Sequence, residues 1–189
     1  MARVFLMQTG RTTFEEQSRI ESVAGAPLTP QGVAEVQEQA RRLADSEIDA
    51  VYTSQGEAER QSARLAADIL GLKVHTTSNL REIDYGLWQG LTLAELKRRQ
   101  PKVYRQWTDE PMSVCPPGGE TMREAGDRVR AAVKSIVKRH RDETLLVVLR
   151  PVAMGLLRCA LEGRQPATIW QQVDCEFICR GYETDGKNL

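Results

Sequence analysis

Leu145-Leu146-Val147-Val148-Leu149 is the longest unbroken apolar run in this chain of 189 residues. A strand with one wet face alternates apolar and polar side chains, whereas a strand buried on both faces of a parallel sheet is apolar throughout. The run is far too short to cross a membrane. It predicts a central strand, and such a strand demands helices on both faces of its sheet. The rest of the pattern supplies them. Residues 3–8 read as a first strand that breaks at Thr9-Gly10, and residues 48–53 and 73–76 as two more. Helices are predicted over 30–44, opened by an N-cap at Thr29 and Pro30 in the first turn, and over 57–70, closed by Gly71. Further helices are predicted over 120–140 and 152–161, and an antiparallel pair near 171–173 and 176–182. Strands alternating with helices give a doubly wound α/β sandwich with a mostly parallel sheet, whose ligands sit beyond the carboxyl ends of the strands.

Residues 79–117 break this rhythm. Short helical pieces over 91–99 and 101–107 alternate with loop signals and end in Cys115-Pro116-Pro117-Gly118-Gly119, and two of the three tryptophans fall here. The stretch is expected to be a small helical cap, about residues 87–117, inserted into one domain spanning 1–189. A chain of this length buries roughly 70% of its unfolded surface and can sustain a core without staples.

Charge narrows the function. Lys plus Arg and Asp plus Glu number 26 each, so the net charge is zero. That removes the general electrostatic case for nucleic acid or an anionic membrane. The first seven residues turn polar at Gln8, too early for a signal-peptide core. Four cysteines without metal-ligand spacing predict reduced thiols and a cytoplasmic location. Cys175 and Cys179 on one strand face would stand roughly 13 Å apart, too far for a disulfide. The two histidines, His75 and His140, leave little material for chemistry that needs a pair. His75 reads as a strand-edge residue, and His140 as complementing the dipole at a helix end.

Four segments, in chain order, carry a resemblance. They are Leu28-Thr29-Pro30-Gln31-Gly32, the stretch Leu80-Arg81-Glu82-Ile83-Asp84-Tyr85-Gly86-Leu87-Trp88-Gln89-Gly90, Pro117-Gly118-Gly119-Glu120-Thr121, and Leu146-Val147-Val148-Leu149-Arg150 before a helix. Together they resemble the histidine phosphatase superfamily, the phosphoglycerate mutase-like fold. The second segment is most similar to the cobalamin-ribazole and fructose-bisphosphate phosphatase branch. The family carries Arg-His-Gly-x-Thr after its first strand, and that histidine accepts the phosphoryl group. Here the matching residues are Gln8-Thr9-Gly10-Arg11-Thr12. The family's second arginine falls on Ala58 and its second histidine on Arg150, while the acid is kept as Glu82. The resemblance thus implies vestigial catalytic positions at Gln8, Thr9, Ala58, Glu82 and Arg150, with Gly10, Arg11, Glu82 and Arg150 left for ligand binding.

The chemistry makes these replacements consequential. A neutral imidazole attacks phosphorus and later departs as a good leaving group. A threonine hydroxyl needs a base, and its phosphate ester would be far harder to hydrolyse. Lost arginines would have donated charge-assisted bonds to the phosphoryl oxygens, and one lost oriented donor costs on the order of 10²- to 10³-fold. The expectation is a catalytically inactive pseudo-phosphatase with a binding or regulatory role, without cofactor or metal. A phosphorylated or other anionic small molecule would bind weakly, and a homodimer or protein partner is the other candidate. The alternatives are an active phosphomonoester phosphatase or mutase with a rebuilt site, and a different chemistry on Glu82, Asp84 and Arg150. Arg150 is expected to pair with Glu82 or Asp84 across the site.

Overall fold

The computed structural model describes residues 1–21, 25–165, 169–170 and 180–187. Its centre is a five-stranded sheet in the order β3-β2-β4-β1-β5. The strands are β1 (Ala2–Gln8), β2 (Ala50–Thr53), β3 (Val74–Thr76), β4 (Thr144–Leu149) and β5 (Arg180–Thr184). The first four are parallel, and β5 alone runs antiparallel, pairing with β1 from Ala2↔Thr184 to Leu6↔Arg180. The apolar run is the middle strand, β4, buried from Leu145 to Leu149 between β1 and β2.

Helices cover both faces, as a strand without a wet side requires. On one face α6 (Met122–Arg139) and α7 (Pro151–Leu161) bury Val129, Val133, Ile136 and Leu157 against Leu6, Leu145 and Val147. On the other, α2 (Pro30–Arg42) and α3 (Glu57–Leu70) bury Val36, Ala40, Ala63 and Ala66 against Phe5, Met7 and Val148. Thr29 caps α2 by accepting from Gly32 N at 3.0 Å, and Gly71 closes α3 in the left-handed region at φ +70°.

Element ends move where a side chain has another task. α6 starts at Met122 rather than residue 120, because Thr121 and Glu124 form a reciprocal capping box. Glu120 instead holds Arg128 and accepts from Asp84 N at 3.0 Å. The polar stretch after β1 also carries a short helix, α1 (Thr13–Glu16), started by a second such box between Thr12 and Glu15. Of the expected antiparallel pair, the strand at 171–173 lies outside the described residues, as do Cys175 and Cys179.

Helices α4 (Leu93–Arg99) and α5 (Pro101–Asp109) bring Leu93 and Trp107 to a cavity that Arg150, the residue after β4, also lines. Their apolar side chains join Ile20, Ile83, Tyr85 and Trp88 with Met122, Val152 and Leu156 in one cluster. Trp107 is its hub, with ring centroids 6.0 Å from Tyr85, 5.9 Å from Trp88 and 4.6 Å from Trp170. Among the described residues, no helix is long and apolar enough to cross a membrane.

Candidate functional site

The register of β1 and β4 builds the site. Gln8 lies opposite Leu149, so the two central strands leave the sheet side by side and deliver Thr9 and Arg150 together. Thr9 N donates to Leu149 O at 2.9 Å, which ties the two strand ends. Both residues are buried, Thr9 at 2% and Arg150 at 4% exposure. Thr9 Oγ1, Gln8 Oε1, and Arg150 Nε and Nη1 are buried there without a hydrogen-bond partner. Orphaned buried polar atoms are rare in folded proteins and are costly.

Arg150 spends its remaining nitrogen on carboxylates. Nη2 stands 2.9 Å from Glu21 and 3.4 Å from Glu15. Glu21 is itself buried and held by Thr12 Oγ1, which donates at 2.5 Å, and by Ala26 N. Burial opposes the charge on Arg150, but Glu15, Glu21, Glu82 and Glu59 together outweigh it and hold its pKa above the ordinary value. The expected partners were Glu82 or Asp84; the ion pairs instead run to Glu21 and Glu15.

The reason lies in Glu82. Its Oε1 accepts from Ile83 N and Ala153 N, both at 2.8 Å, and its Oε2 from Val152 N at 2.9 Å. Arg150 is the N-cap of α7, with Pro151 in the first turn and no side-chain capping bond. The carboxylate of Glu82 therefore does that work from a distant segment, against the positive end of the helix dipole. Burial pushes its pKa up to about 7, against the pull of Arg150 and the three backbone N–H groups. Asp84 is turned back on its own loop and accepts from Gly86 N at 2.8 Å. Arg81 faces Glu120 at 3.5 Å.

On α3, Ala58 is fully buried, and next to it stands Glu59, a buried carboxylate that accepts from Ser54 Oγ at 2.9 Å. Burial raises the pKa of Glu59, offset in part by Arg150. Gly10 packs so closely on α2 that a Cβ there would overlap the Gly32 carbonyl, and its N–H donates to Ser62 Oγ at 3.1 Å. Arg11 is exposed and lies 3.7 Å from Glu35. The two histidines are remote: His75 stacks on Tyr52 with centroids 5.0 Å apart, and His140 bridges Tyr52 Oη at 2.6 Å and Glu143 at 2.7 Å.

A cavity of about 340 Å³ opens over Arg150. Glu15, Ser18, Arg19, Glu21, Glu82 and Arg150 line its polar side, and Ile20, Tyr85, Leu93, Trp107, Val152 and Trp170 its apolar side. Gly10 and Arg11 do not line it, and neither histidine does. Burial, and then Glu82, raise the Tyr85 hydroxyl well above its usual value, so it stays protonated. Among the described residues, no group of three or more His, Cys, Asp or Glu could hold a metal ion.

Two central parallel strands of an α/β sandwich thus carry Thr9 and Arg150 at their carboxyl ends, beside an aromatic cluster and a buried acid. The chain belongs to the histidine phosphatase superfamily (branch 1), whose family model matches residues 4–187. It is 26% identical to phosphoserine phosphatase 1 of Hydrogenobacter thermophilus, over 90% of this chain and 81% of that protein. It is 30% identical to a probable phosphoglycerate mutase, GpmB, of Yersinia enterocolitica, over 88% of this chain and 77% of that one. With the bifunctional protein Rv2228c of Mycobacterium tuberculosis it shares 36% identity, but it spans only 44% of that longer chain. The structure of Bacillus stearothermophilus YhfR superposes with a TM-score of 0.90 at 26% identity, covering 98% of this chain and 93% of that one.

Three site residues had no mark in the sequence analysis: Glu15, Glu21 and Glu59. The spacing Thr12-x-x-Glu15 is a capping box and could have placed α1. For Glu21 and Glu59 no local pattern exists; what defines them is proximity to Arg150, which only the tertiary fold creates.

Proposed function

We propose that the chain is a non-catalytic member of its family, a pseudo-phosphatase that keeps the fold and a ligand cavity for a binding or regulatory role. The observation that carries this reading is Thr9 beside Arg150 at the strand ends, with both histidines of the chain elsewhere. A hydroxyl without a neighbouring base is a poor nucleophile toward phosphorus. The guanidinium that could bind phosphate is already paired with Glu21 and Glu15. A phosphorylated or other anionic molecule that reaches the remaining nitrogens of Arg150 meets the charge of those carboxylates, so it binds weakly. Gln8 and Ala58, where the resemblance expects arginines, provide no cation to help. A homodimer or protein partner fits the same role. Reduced thiols at Cys115 and Cys159 fit a cytoplasmic location.

One feature favours the alternative, an active phosphomonoester phosphatase or mutase with a rebuilt site. Glu82, with a pKa of about 7, is poised for proton transfer near neutrality. Steady-state phosphate release separates the two. The non-catalytic reading expects no rate above background on p-nitrophenyl phosphate, sugar phosphates or phosphoglycerates. Turnover near the usual enzyme median of about 10 s⁻¹, abolished in Glu82→Gln, establishes the alternative.

A further inference from the structure

We infer that the cavity over Arg150 takes a small zwitterion with an apolar body, an α-amino acid with an apolar or aromatic side chain, in place of a phosphate ester. The inference rests on the non-catalytic reading of the site and names its ligand class. Three observations point the same way.

The first is an unmet need for an acceptor. Arg150 lines the cavity, is 96% buried by its 4% exposure, and leaves Nε and Nη1 without partners. A carboxylate or carbonyl oxygen brought to that side would satisfy them, and charge-assisted bonds of this kind are the strong ones.

The second is the set of carboxylates around the cavity's one buried cation; Arg19, the other cation that lines the cavity, is exposed and spends Nε on Gln17 Oε1 and Nη1 on Gly90 O. Glu15, Glu21, Glu59 and Glu82 all act electrostatically on Arg150. Glu15 is the accessible one, with 29% of its side chain exposed; its Oε2 accepts from Thr12 N at 2.8 Å, and its Oε1 makes a long 3.4 Å contact to Nη2. A phosphate dianion would carry its charge toward Glu15 and Glu21 and be repelled. A monoanion would fare better, but would still add its charge beside Glu15. A ligand whose ammonium meets Glu15 and whose carboxylate meets Arg150 places each charge against its opposite and adds no net charge.

The third is the wall. Tyr85, Trp107 and Trp170, with Ile20, Leu93 and Val152, form an apolar and aromatic side facing the charged one. At about 340 Å³ the cavity is at the small end of ligand sites, which run roughly 300–1,000 Å³. That size suits a single amino acid better than a nucleotide or an oligosaccharide.

The test is calorimetric titration of the full chain with L-phenylalanine, and with each of its halves: phenethylamine, which has only the ammonium, and hydrocinnamate, which has only the carboxylate. Inorganic phosphate is the fourth probe. L-phenylalanine is expected to bind at least about tenfold tighter than either half and than phosphate, since one added charge-assisted contact is worth about that factor. Glu15→Gln should lose about tenfold for L-phenylalanine, while hydrocinnamate binds as well or better, because the ammonium contact is removed and so is a charge that opposes a carboxylate at Arg150. Leu93→Trp, which fills the apolar side from a position 40% exposed, should abolish binding without unfolding the chain. The inference is overturned if hydrocinnamate or phosphate binds as tightly as L-phenylalanine. It is equally overturned if nothing binds at millimolar concentration, or if Leu93→Trp leaves binding intact. These outcomes leave the non-catalytic reading standing. Turnover of phosphate esters defeats that reading through a different measurement.

Discussion

Replacing Arg150 by methionine removes the cation from a buried ion pair at the centre of the site. Methionine has similar length and no charge, so it fills the space while leaving Glu21 and Glu15 without their cation. Glu15 can turn to solvent. Glu21, whose side chain is 2% exposed, cannot. Breaking a buried pair from one side typically costs about 3–5 kcal/mol, because an uncompensated charge remains. In a domain of this size each kcal/mol lowers Tm by about 2–4 °C, so a fall of roughly 6–20 °C is expected in thermal unfolding. The compensating change is Glu21→Gln, which keeps an oxygen for Ala26 N and turns an amide toward Thr12 Oγ1. In the double variant the buried charge is gone, and at least half of the lost stability should return. A coupling energy of about 1 kcal/mol or more between the two sites is therefore predicted from the double-mutant cycle. If Arg150→Met costs less than about 1 kcal/mol, or if Glu21→Gln makes it worse, the pair is not what organises the site.

Glu82 predicts a pH dependence. Its folded pKa of about 7 exceeds the reference value of 4.5, so the folded state holds the proton more tightly than the unfolded one. Stability is then greatest below about pH 4.5, falls as pH rises toward 7 and levels beyond, by up to about 3 kcal/mol. Urea midpoints at pH 5 and pH 8 should show this fall, and Glu82→Gln should remove most of it; Glu59, shifted in the same direction, accounts for the residue. Thr9→His alone should yield no robust phosphatase, because the residues of such a site act as a unit. The combination of Gln8→Arg, Thr9→His, Ala58→Arg and Arg150→His should also stay poor until Glu21 and Glu59 are neutralised, since Glu21 lines the cavity and Glu59 acts electrostatically on position 150; phosphate release across the series reads this directly.

The apolar run at Leu145–Leu149 led to the right strand in the right place, and the helix limits set by Thr29, Pro30 and Gly71 followed from local stereochemistry. Such features are legible because each depends on a few neighbouring residues. The adjacency of Thr9 and Arg150 was legible too, through the resemblance that assigns both to strand ends. The partner of Arg150 was not. Glu82 looked available because its three backbone donors sit partly on α7, some seventy positions on, and nothing local reveals that its carboxylate is spent there. Glu21 looked like one polar residue in an irregular stretch. Its role comes from a contact across 129 positions of sequence. Charge pairing over such separations is set by the fold, after the strands are in register.

The central proposal is that this chain never holds a phosphoryl group covalently. Intact-mass spectrometry of the protein, quenched during incubation with p-nitrophenyl phosphate, tests it without relying on turnover. The account predicts an unmodified mass at every time point and in every substrate excess. A phosphoryl adduct that forms within the turnover time and disappears when substrate is exhausted would contradict it, and fragment masses placing that adduct on Thr9 would make the hydroxyl a working nucleophile after all.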